Sequence, residues 1–450
     1  MEIINRKIFL KEKRLLFIIF IIALALRLLA VFNLPIQFQT PAADAYDYDT
    51  IAKNLVTAKG YSLYAEKGLT SLRTPLYPLF LASIYLIFGH NYTAVRVIQS
   101  IMSALLCIII YYIGRKIFDK KVGLLSSIIL VFYQPYISYV FYGGPGFLYS
   151  ENLFVFLYAL FVLFLVTNFF VGLSMKGAVI VGIFMGLLAL TRPFDALFPL
   201  FFIFLLAYRY PFKTIMKLIL TILIVYLLTL SPWIFRNYLV HKELIPFSTM
   251  GGEALISTYN PYVRGSGLGN LGQLFTKEEL KQIENMPELK QDRFYRDLAI
   301  KYMFKNYKRI MFLLPKKLLC LWDLFQTHYD NGMKRLYNIW YSIIFMFSLF
   351  GIIKTIRSGL NINTLLLLLL FAYISFIVLI FGGDPRFRYP MEPYLIIFAS
   401  FGIFAIWNKF RNKFLSLSMI CFIFVINLLF YLKSELVLNW VRVPLRHFGM

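Results

Sequence analysis

Residues 40–78 read TPAADAYDYDTIAKNLVTAKGYSLYAEKGLTSLRTPLYP. This polar stretch, with Asp44, Asp47 and Asp49 close together, interrupts a chain built of apolar runs. Its two edges decide the fold. Before it, residues 15–33 form an apolar run long enough to cross a bilayer. After it, residues 76–88 (LYPLFLASIYLIF) are apolar but short, reaching roughly 20 Å as a helix against a hydrocarbon core of roughly 30 Å. Whether 76–88 crosses sets the side of the membrane on which every later loop lies.

Of the 450 residues, 60% are hydrophobic and 15% charged. A soluble domain carries about a quarter charged residues, so an ordinary soluble enzyme is excluded. The recurring apolar runs indicate an all-α, polytopic integral membrane protein. Candidate spans lie at 15–33, 94–113, 122–141, 151–171, 175–191, 194–209, 215–235, 337–356, 362–381, 391–407 and 414–432, about 11 in all. The first reads as a retained span, because it is long for a signal h-region and no small-residue cleavage site follows it cleanly.

Charge settles the orientation. Arg6, Lys7, Lys11, Lys13 and Arg14 hold the N-terminus in the cytoplasm. If 76–88 does not cross, the basic clusters Arg115/Lys116/Lys120/Lys121, Arg209/Lys213/Lys217, Lys354/Arg357 and Lys409/Arg411/Lys413 all fall inside. If it crosses, all fall outside. Residues 76–88 therefore read as an interfacial or re-entrant helix on the outer face, beneath an outer loop 34–93. The loops 142–151 and 237–336, the turn 382–388 and the turn Thr191-Arg192-Pro193 share that face. The expected location is the cell (plasma) membrane, with any active site extracytoplasmic.

The chain divides into an N-terminal transmembrane module (1–235), an extracytoplasmic loop (236–336) and C-terminal transmembrane helices (337–450). Within the loop, 292–327 reads as one or two amphipathic helices, with Lys305, Lys308, Arg309, Lys316 and Lys317 at headgroup level. Stretches 143–146, 251–252 and 265–267 read as glycine turns. The net charge of +24 follows from the positive-inside pattern and anionic lipids. The basic residues sit at the ends of apolar runs rather than on a soluble face, so nucleic acid is not a partner. The cysteines and histidines show no metal spacing. No cofactor is called for, and a divalent metal, though compatible, is not indicated.

The chemistry concentrates on the outer face. Thr40-Pro41 reads as a helix N-cap and first position, with Gly60 as the stop. Asp44, Asp47, Tyr48, Ile51, Ala52 and Leu55 fall on one helical stripe. Asp49 falls off it and reads as a group satisfying N-terminal amides. Glu151 opens the fourth span. Arg73, Arg192, Arg236, Arg386 and Arg388 stand at outer boundaries of spans or of the interfacial helix. One such arginine alone is a headgroup anchor. Five beside two or three acids suit a phosphate-bearing lipid, because guanidinium grips phosphate oxygens through paired, charge-assisted bonds. A carboxylate can take the proton of an acceptor hydroxyl, and cations can stabilise a departing phosphate.

A lipid or sugar transporter or flippase is the alternative from another class. It would place ionisable groups near the midplane, where only Arg27 and Asp195 lie deep, and it would show matched broken spans, which are not seen. A polysaccharide polymerase or ligase using diphosphate-linked lipids is the third reading.

Six short motifs carry a family resemblance, in order. They are D-x-x-D-Y-x-x-I-A-x-N-L-x-x-x-x-G-Y (44–61), R-T-P-L-Y-P-L (73–79), Y-S-E-N-L (149–153), L-T-R-P (190–193), S-P-W-I-F-R-N-Y (231–238) and D-P-R-F-R-Y-P-M-E-P (384–393). Together the motifs resemble the GT-C glycosyltransferases of family 39, which include protein O-mannosyltransferases and lipid A aminoarabinose transferases. The resemblance implies an inverting transferase using a polyprenyl-phosphate-sugar donor and a glycan, lipid or protein acceptor. It implies Asp44 as catalytic base, with Asp47 and Glu151 orienting the acceptor, and Arg73, Arg386 and Arg388 holding the donor phosphate. Many members carry Asp-Glu where this chain has Asp44-Ala45, so Asp47 is the candidate for the second acid.

Overall fold

The computed structural model describes residues 2–34, 40–137, 146–168, 172–263, 271–328, 334–409 and 411–433. Residues 143–145 and 265–267, expected to form glycine turns, lie outside these ranges. The described chain is helical but for one hairpin. Its helices are α1 (Glu2–Phe32), α2 (Asp44–Val56), α3 (Leu76–Phe88), α4 (Tyr92–Ile117), α5 (Lys120–Phe132), α6 (Ser150–Asn168), α7 (Met175–Thr191), α8 (Phe198–Arg209) and α9 (Phe212–His241). The segment expected to be extracytoplasmic then supplies α10 (Gly251–Thr258), α11 (Lys277–Glu284), α12 (Glu288–Lys305) and α13 (Tyr307–Leu321). Strands β1 (Phe325–His328) and β2 (Lys334–Tyr337) pair antiparallel, Phe325 opposite Tyr337. Helices α14 (Ile339–Arg357), α15 (Ile362–Phe381), α16 (Glu392–Lys409) and α17 (Lys413–Leu432) complete the chain.

Every expected span contains a helix, yet the count of about 11 is not reached by length. Among the described residues, eight helical segments are long and apolar enough to cross: those of α1, α4, α6, α9, α14, α15 and α17, and Pro385–Lys409. Helices α5, α7 and α8 are shorter, at 13, 17 and 12 residues. The breaks have local causes. Pro135 sits in a 3-10 turn after α5, and Pro193, lacking an amide proton, ends α7 and opens another 3-10 turn before α8. Helix α3 occupies 76–88 as expected, at 13 residues. The hairpin was not foreseen by the all-α reading.

Side-chain caps fix several helix starts, as expected where orphan amides need acceptors. Asn91 caps α4, Asp119 caps α5, Asn338 caps α14 and Asn361 caps α15. Helix α2 departs from expectation at both ends. It begins at Asp44, after Ala43 with φ 51°, rather than from Thr40-Pro41. It closes at Val56, and Ala58 is already left-handed at φ 59°, before Gly60. Asp44 and Asp47 still occupy its first turn, where the helix dipole favours acids.

Small residues let the membrane helices touch backbone to backbone. A Cβ on Gly351 of α14 would come within 1.9 Å of the Phe398 carbonyl oxygen of α16. One on Gly402 would come within 2.2 Å of Phe347 O. Arg27, deep in α1, is buried with no carboxylate partner among the described residues and donates to Ser103 Oγ (2.7 Å), Ala23 O (3.0 Å) and Leu130 O (3.3 Å). It ties α1 to α4 and α5, which accounts for its depth structurally.

The segment expected to form the outer loop is welded to the membrane helices. The boundary expected after residue 235 falls inside α9. Helices α12 and α13 take the place of the expected amphipathic pair, and Phe304, Met311 and Phe312 are exposed along them. Lys305 and Lys308 are exposed, as expected at headgroup level. Lys317 is not: it is buried, donates to Leu379 O (3.1 Å) and lies over the Tyr259 ring. Its burial lowers the ammonium pKa to about 7.

Candidate active site

Four segments and the start of α2 converge above the bundle. Asp44 and Asp47 come from α2, and Arg73 from the segment leading into α3. Glu151 stands in the first turn of α6. Arg192 caps the end of α7, and Arg386 lies in the 3-10 turn before α16. Their charges alternate along one unbroken chain. Asp47 Oδ2 accepts from Arg73 Nη2 (2.6 Å) and Nε (3.0 Å). Arg73 Nη2 also donates to Asp44 Oδ1 (2.7 Å). Asp44 Oδ2 accepts from Arg386 Nη1 (2.7 Å). Arg386 Nε donates to Glu151 Oε1, which also pairs with Arg192 Nη1 (2.6 Å). The guanidiniums lie over aromatic rings, Arg73 on Tyr48 and Arg386 on Tyr149, contacts that favour cations.

The network forms part of the wall of a cavity of about 310 Å³. Asp44, Arg73, Arg192 and Arg386 line it beside Tyr48, Thr74, Phe194 and Phe387. Met250, Gly251, Glu253 and Ser257 of the α10 region line it as well. Behind the network, a recess of about 20 Å³ is lined by Glu151, Arg192, Asp195 and Tyr158, large enough for about one water. Among the described residues, the Asp195 Oδ2 and Tyr158 hydroxyl atoms there have no hydrogen-bond partner.

Electrostatics separates the two aspartates. Burial pushes the Asp44 carboxyl up, but the Arg73 and Arg386 guanidiniums overcome it and hold the group well below the usual carboxylate range. At Asp47, burial outweighs the attraction of Arg73, and the pKa is raised. Glu253 is raised as well, by burial. Among the described residues, no group of three or more His, Cys, Asp or Glu side chains is arranged to hold a metal ion.

Three residues from the sequence reading lie elsewhere. Arg388 does not face the cavity. It is 1% exposed, pairs with Glu392 (2.9 Å), donates to Leu321 O and Asp323 O, and lies over Tyr341. The reason is the 3-10 turn Pro385–Met391. At three residues per turn, positions two apart point about 240° from each other, so Arg386 and Arg388 diverge. Arg236 holds the first outer loop instead, donating to Thr70 O (2.7 Å), Ser71 Oγ (2.9 Å) and Tyr61 O (3.1 Å). Asp49 lies off the site as expected, for a different reason. Its carboxylate binds Tyr85 (2.6 Å), Tyr92 (2.9 Å) and His90 (2.8 Å), clasping α2 to α3 and α4 rather than serving helix amides.

Glu253 was missed. Its one sequence signal is that it is the only acid between Glu243 and Glu278, in an otherwise apolar and glycine-rich stretch of the outer loop.

Residues 72–235 match the family model described as dolichyl-phosphate-mannose-protein mannosyltransferase. That span contains Arg73, Glu151 and Arg192. Among solved structures, the fold is similar to the Archaeoglobus fulgidus oligosaccharyltransferase tethered with an acceptor peptide: 16% identity, 92% of this chain and 53% of that one, TM-score 0.55. It is also similar to oligosaccharyltransferase AglB of the same organism, in complex with an inhibitory peptide and a dolichol-phosphate: 16% identity, 91% of this chain and 53% of that one, TM-score 0.53. The chain thus spans about half the length of these proteins. ArnT from Cupriavidus metallidurans, bound to undecaprenyl phosphate, matches more loosely: 12% identity, 87% of this chain and 79% of that one, TM-score 0.42. A comparison with curated proteins gives no match. Residues 72–235 thus carry the pattern of that mannosyltransferase family model, and the described chain shares its fold with these solved oligosaccharyltransferases.

Proposed function

We propose that the protein is a membrane glycosyltransferase moving a sugar from a polyprenyl-phosphate donor to an acceptor outside the cytoplasm, with inversion and with Asp44 as general base. The observation that carries this reading is the chain Asp47–Arg73–Asp44–Arg386–Glu151–Arg192 on the wall of a cavity. Before a donor arrives, the guanidiniums are neutralised by carboxylates, which keeps otherwise costly buried charges paired. A donor phosphate presents better-matched oxygens to Arg386 and its neighbours.

When the phosphate draws Arg386 and Arg73 away, Asp44 loses the counter-charges that hold its pKa down. It then becomes a competent proton acceptor. The acceptor oxygen attacks the anomeric carbon from the face opposite the phosphate, and its proton passes to Asp44. The bond from that carbon to the phosphate oxygen breaks, its electron pair leaving with polyprenyl phosphate. One displacement inverts the centre. The arginines stabilise the charge that gathers on the phosphate, while Asp47 and Glu151 keep Arg73 and Arg192 oriented.

The test is donor competition in proteoliposomes. Transfer from a polyprenyl-phosphate sugar should be inhibited by free polyprenyl phosphate more strongly than by the diphosphate. The opposite order would favour a diphosphate-lipid-dependent polymerase or ligase.

A further inference from the structure

Among the described residues, two acids line the main cavity, Asp44 and Glu253. Asp44 has both oxygens engaged, Oδ1 by Arg73 and Oδ2 by Arg386. Among the described residues, the Glu253 carboxylate has no hydrogen-bond or ion-pair partner, although it is half-buried and feels Arg73, Asp47 and Asp44 through space. A carboxylate partly withdrawn from water and left unpaired is unfavourable unless a ligand completes it.

The backbone beneath Glu253 is held firmly. Gly252 N donates to Asp292 Oδ1 at 2.6 Å, and a Cβ on Gly252 would come within 1.9 Å of the Asp292 carbonyl oxygen. Thr258 Oγ1 donates to Phe381 O (2.9 Å), and the Tyr259 hydroxyl to Leu379 O (2.9 Å). Helix α10 is thereby pinned between α12 and the end of α15. It presents Glu253 on the wall of the same cavity as Arg73 and Asp44, within electrostatic reach of both.

The charges restrict what Glu253 can meet. The cavity's cations are Arg73, Arg192 and Arg386, and a donor phosphate would occupy them. No guanidinium then remains for a second anion, while Glu253 and Asp44 stay acidic. A group bound there must donate a hydrogen bond and must not be anionic.

Resting on the transferase reading above, we propose that Glu253 is the acceptor-binding carboxylate, receiving a hydrogen bond from a hydroxyl-bearing, non-anionic acceptor and turning its nucleophilic oxygen toward Asp44. A phosphate-bearing acceptor is disfavoured by the same carboxylate.

The test separates donor handling from acceptor handling. Full-length wild type, Glu253→Gln and Glu253→Asp are compared for binding of polyprenyl phosphate in liposomes. They are also compared for consumption of a radiolabelled polyprenyl-phosphate sugar in membranes supplying endogenous acceptor, with label counted on acceptor and in released free sugar. The expected result for Glu253→Gln is polyprenyl phosphate binding within about twofold of wild type and unchanged release of free sugar, with transfer to acceptor reduced about tenfold or more, the scale of a lost charged hydrogen bond. Glu253→Asp should recover part of the transfer. Undiminished transfer by Glu253→Gln overturns the proposal. So does parallel loss of polyprenyl phosphate binding, which would make Glu253 a donor-site or structural residue. A wild-type protein that neither binds polyprenyl phosphate nor consumes the donor overturns the transferase reading itself, and the acceptor role with it.

Discussion

Asp44 and Glu151 are bridged by a single guanidinium: Arg386 bonds Asp44 through Nη1 at 2.7 Å and Glu151 through Nε. Two acids from distant parts of the chain therefore depend on one cation, and whatever engages Arg386 is felt at both. Lysine keeps the charge but has a single nitrogen on a flexible stem and cannot span two carboxylates in a fixed plane. Arg386→Lys should therefore raise the donor KM by about tenfold or more, the worth of a charge-assisted bidentate contact. Initial-rate kinetics over donor concentration would check this. An unchanged KM would detach Arg386 from the phosphate.

Arg388, two residues on, should behave in the opposite way. It is buried against Glu392 and two backbone carbonyls. Arg388→Gln leaves Glu392 without its cation in a dry site, a loss of about 3–5 kcal/mol. The variant should accumulate poorly and elute as aggregate on size exclusion. Arg386→Lys should elute as wild type, since Arg192 still pairs with Glu151.

Asp44 gives a pH-dependent stability. Its carboxyl is held below the ordinary range by Arg73 and Arg386, against burial, so its ionised form favours the folded protein. That contribution is complete above the unfolded-chain pKa of about 4 and fades as pH falls through the lower folded value. The melting-temperature gap between wild type and Asp44→Asn in detergent should be widest near neutral pH and should narrow below about pH 4. A gap that widens on acidification would contradict the assignment.

The contact between α14 and α16 predicts a packing defect. A leucine at Gly351 has no room beside Phe398 O, so the helices must separate. Overpacking of this kind costs about 1–3 kcal/mol. Gly351→Leu should lower the thermal midpoint more than Gly359→Leu, where open space surrounds the position, even though Gly359 carries a positive φ of 93°.

Topology is testable at Asn91, which caps α4 just after the short helix α3. In a Cys421→Ser background, a cysteine replacing Asn91 should react with a membrane-impermeant thiol reagent on intact cells. Reaction only after permeabilisation would put the cavity on the cytoplasmic side.

Much of the site was legible because charges at a membrane boundary are few and each needs a reason to be there. Asp44 and Asp47 followed from helical spacing, and Arg73, Glu151, Arg192 and Arg386 from their places at the ends of apolar runs. The network joining them was not legible, since it depends on how five separate segments meet. Arg388 misled because Arg-Phe-Arg carries no sign of the 3-10 turn that sends its two arginines apart. Glu253 escaped notice because it reaches the cavity only through the Gly252–Asp292 clasp between α10 and α12, a contact without a local sequence pattern. The spans were found by hydropathy, but the 3-10 turns at Pro135 and Pro193 leave α5 and α8 shorter than their expected spans, while α7 covers 175–191 as expected.

The most direct measurement is transfer of radiolabelled sugar from a polyprenyl-phosphate donor by purified protein in acceptor-containing membranes, wild type against Asp44→Asn. The account predicts donor-dependent transfer by wild type and a loss of about 10²–10⁴-fold in the variant, the contribution of a positioned general base, with polyprenyl phosphate still bound. Undiminished transfer by Asp44→Asn, or no donor-dependent transfer by wild type, would contradict it.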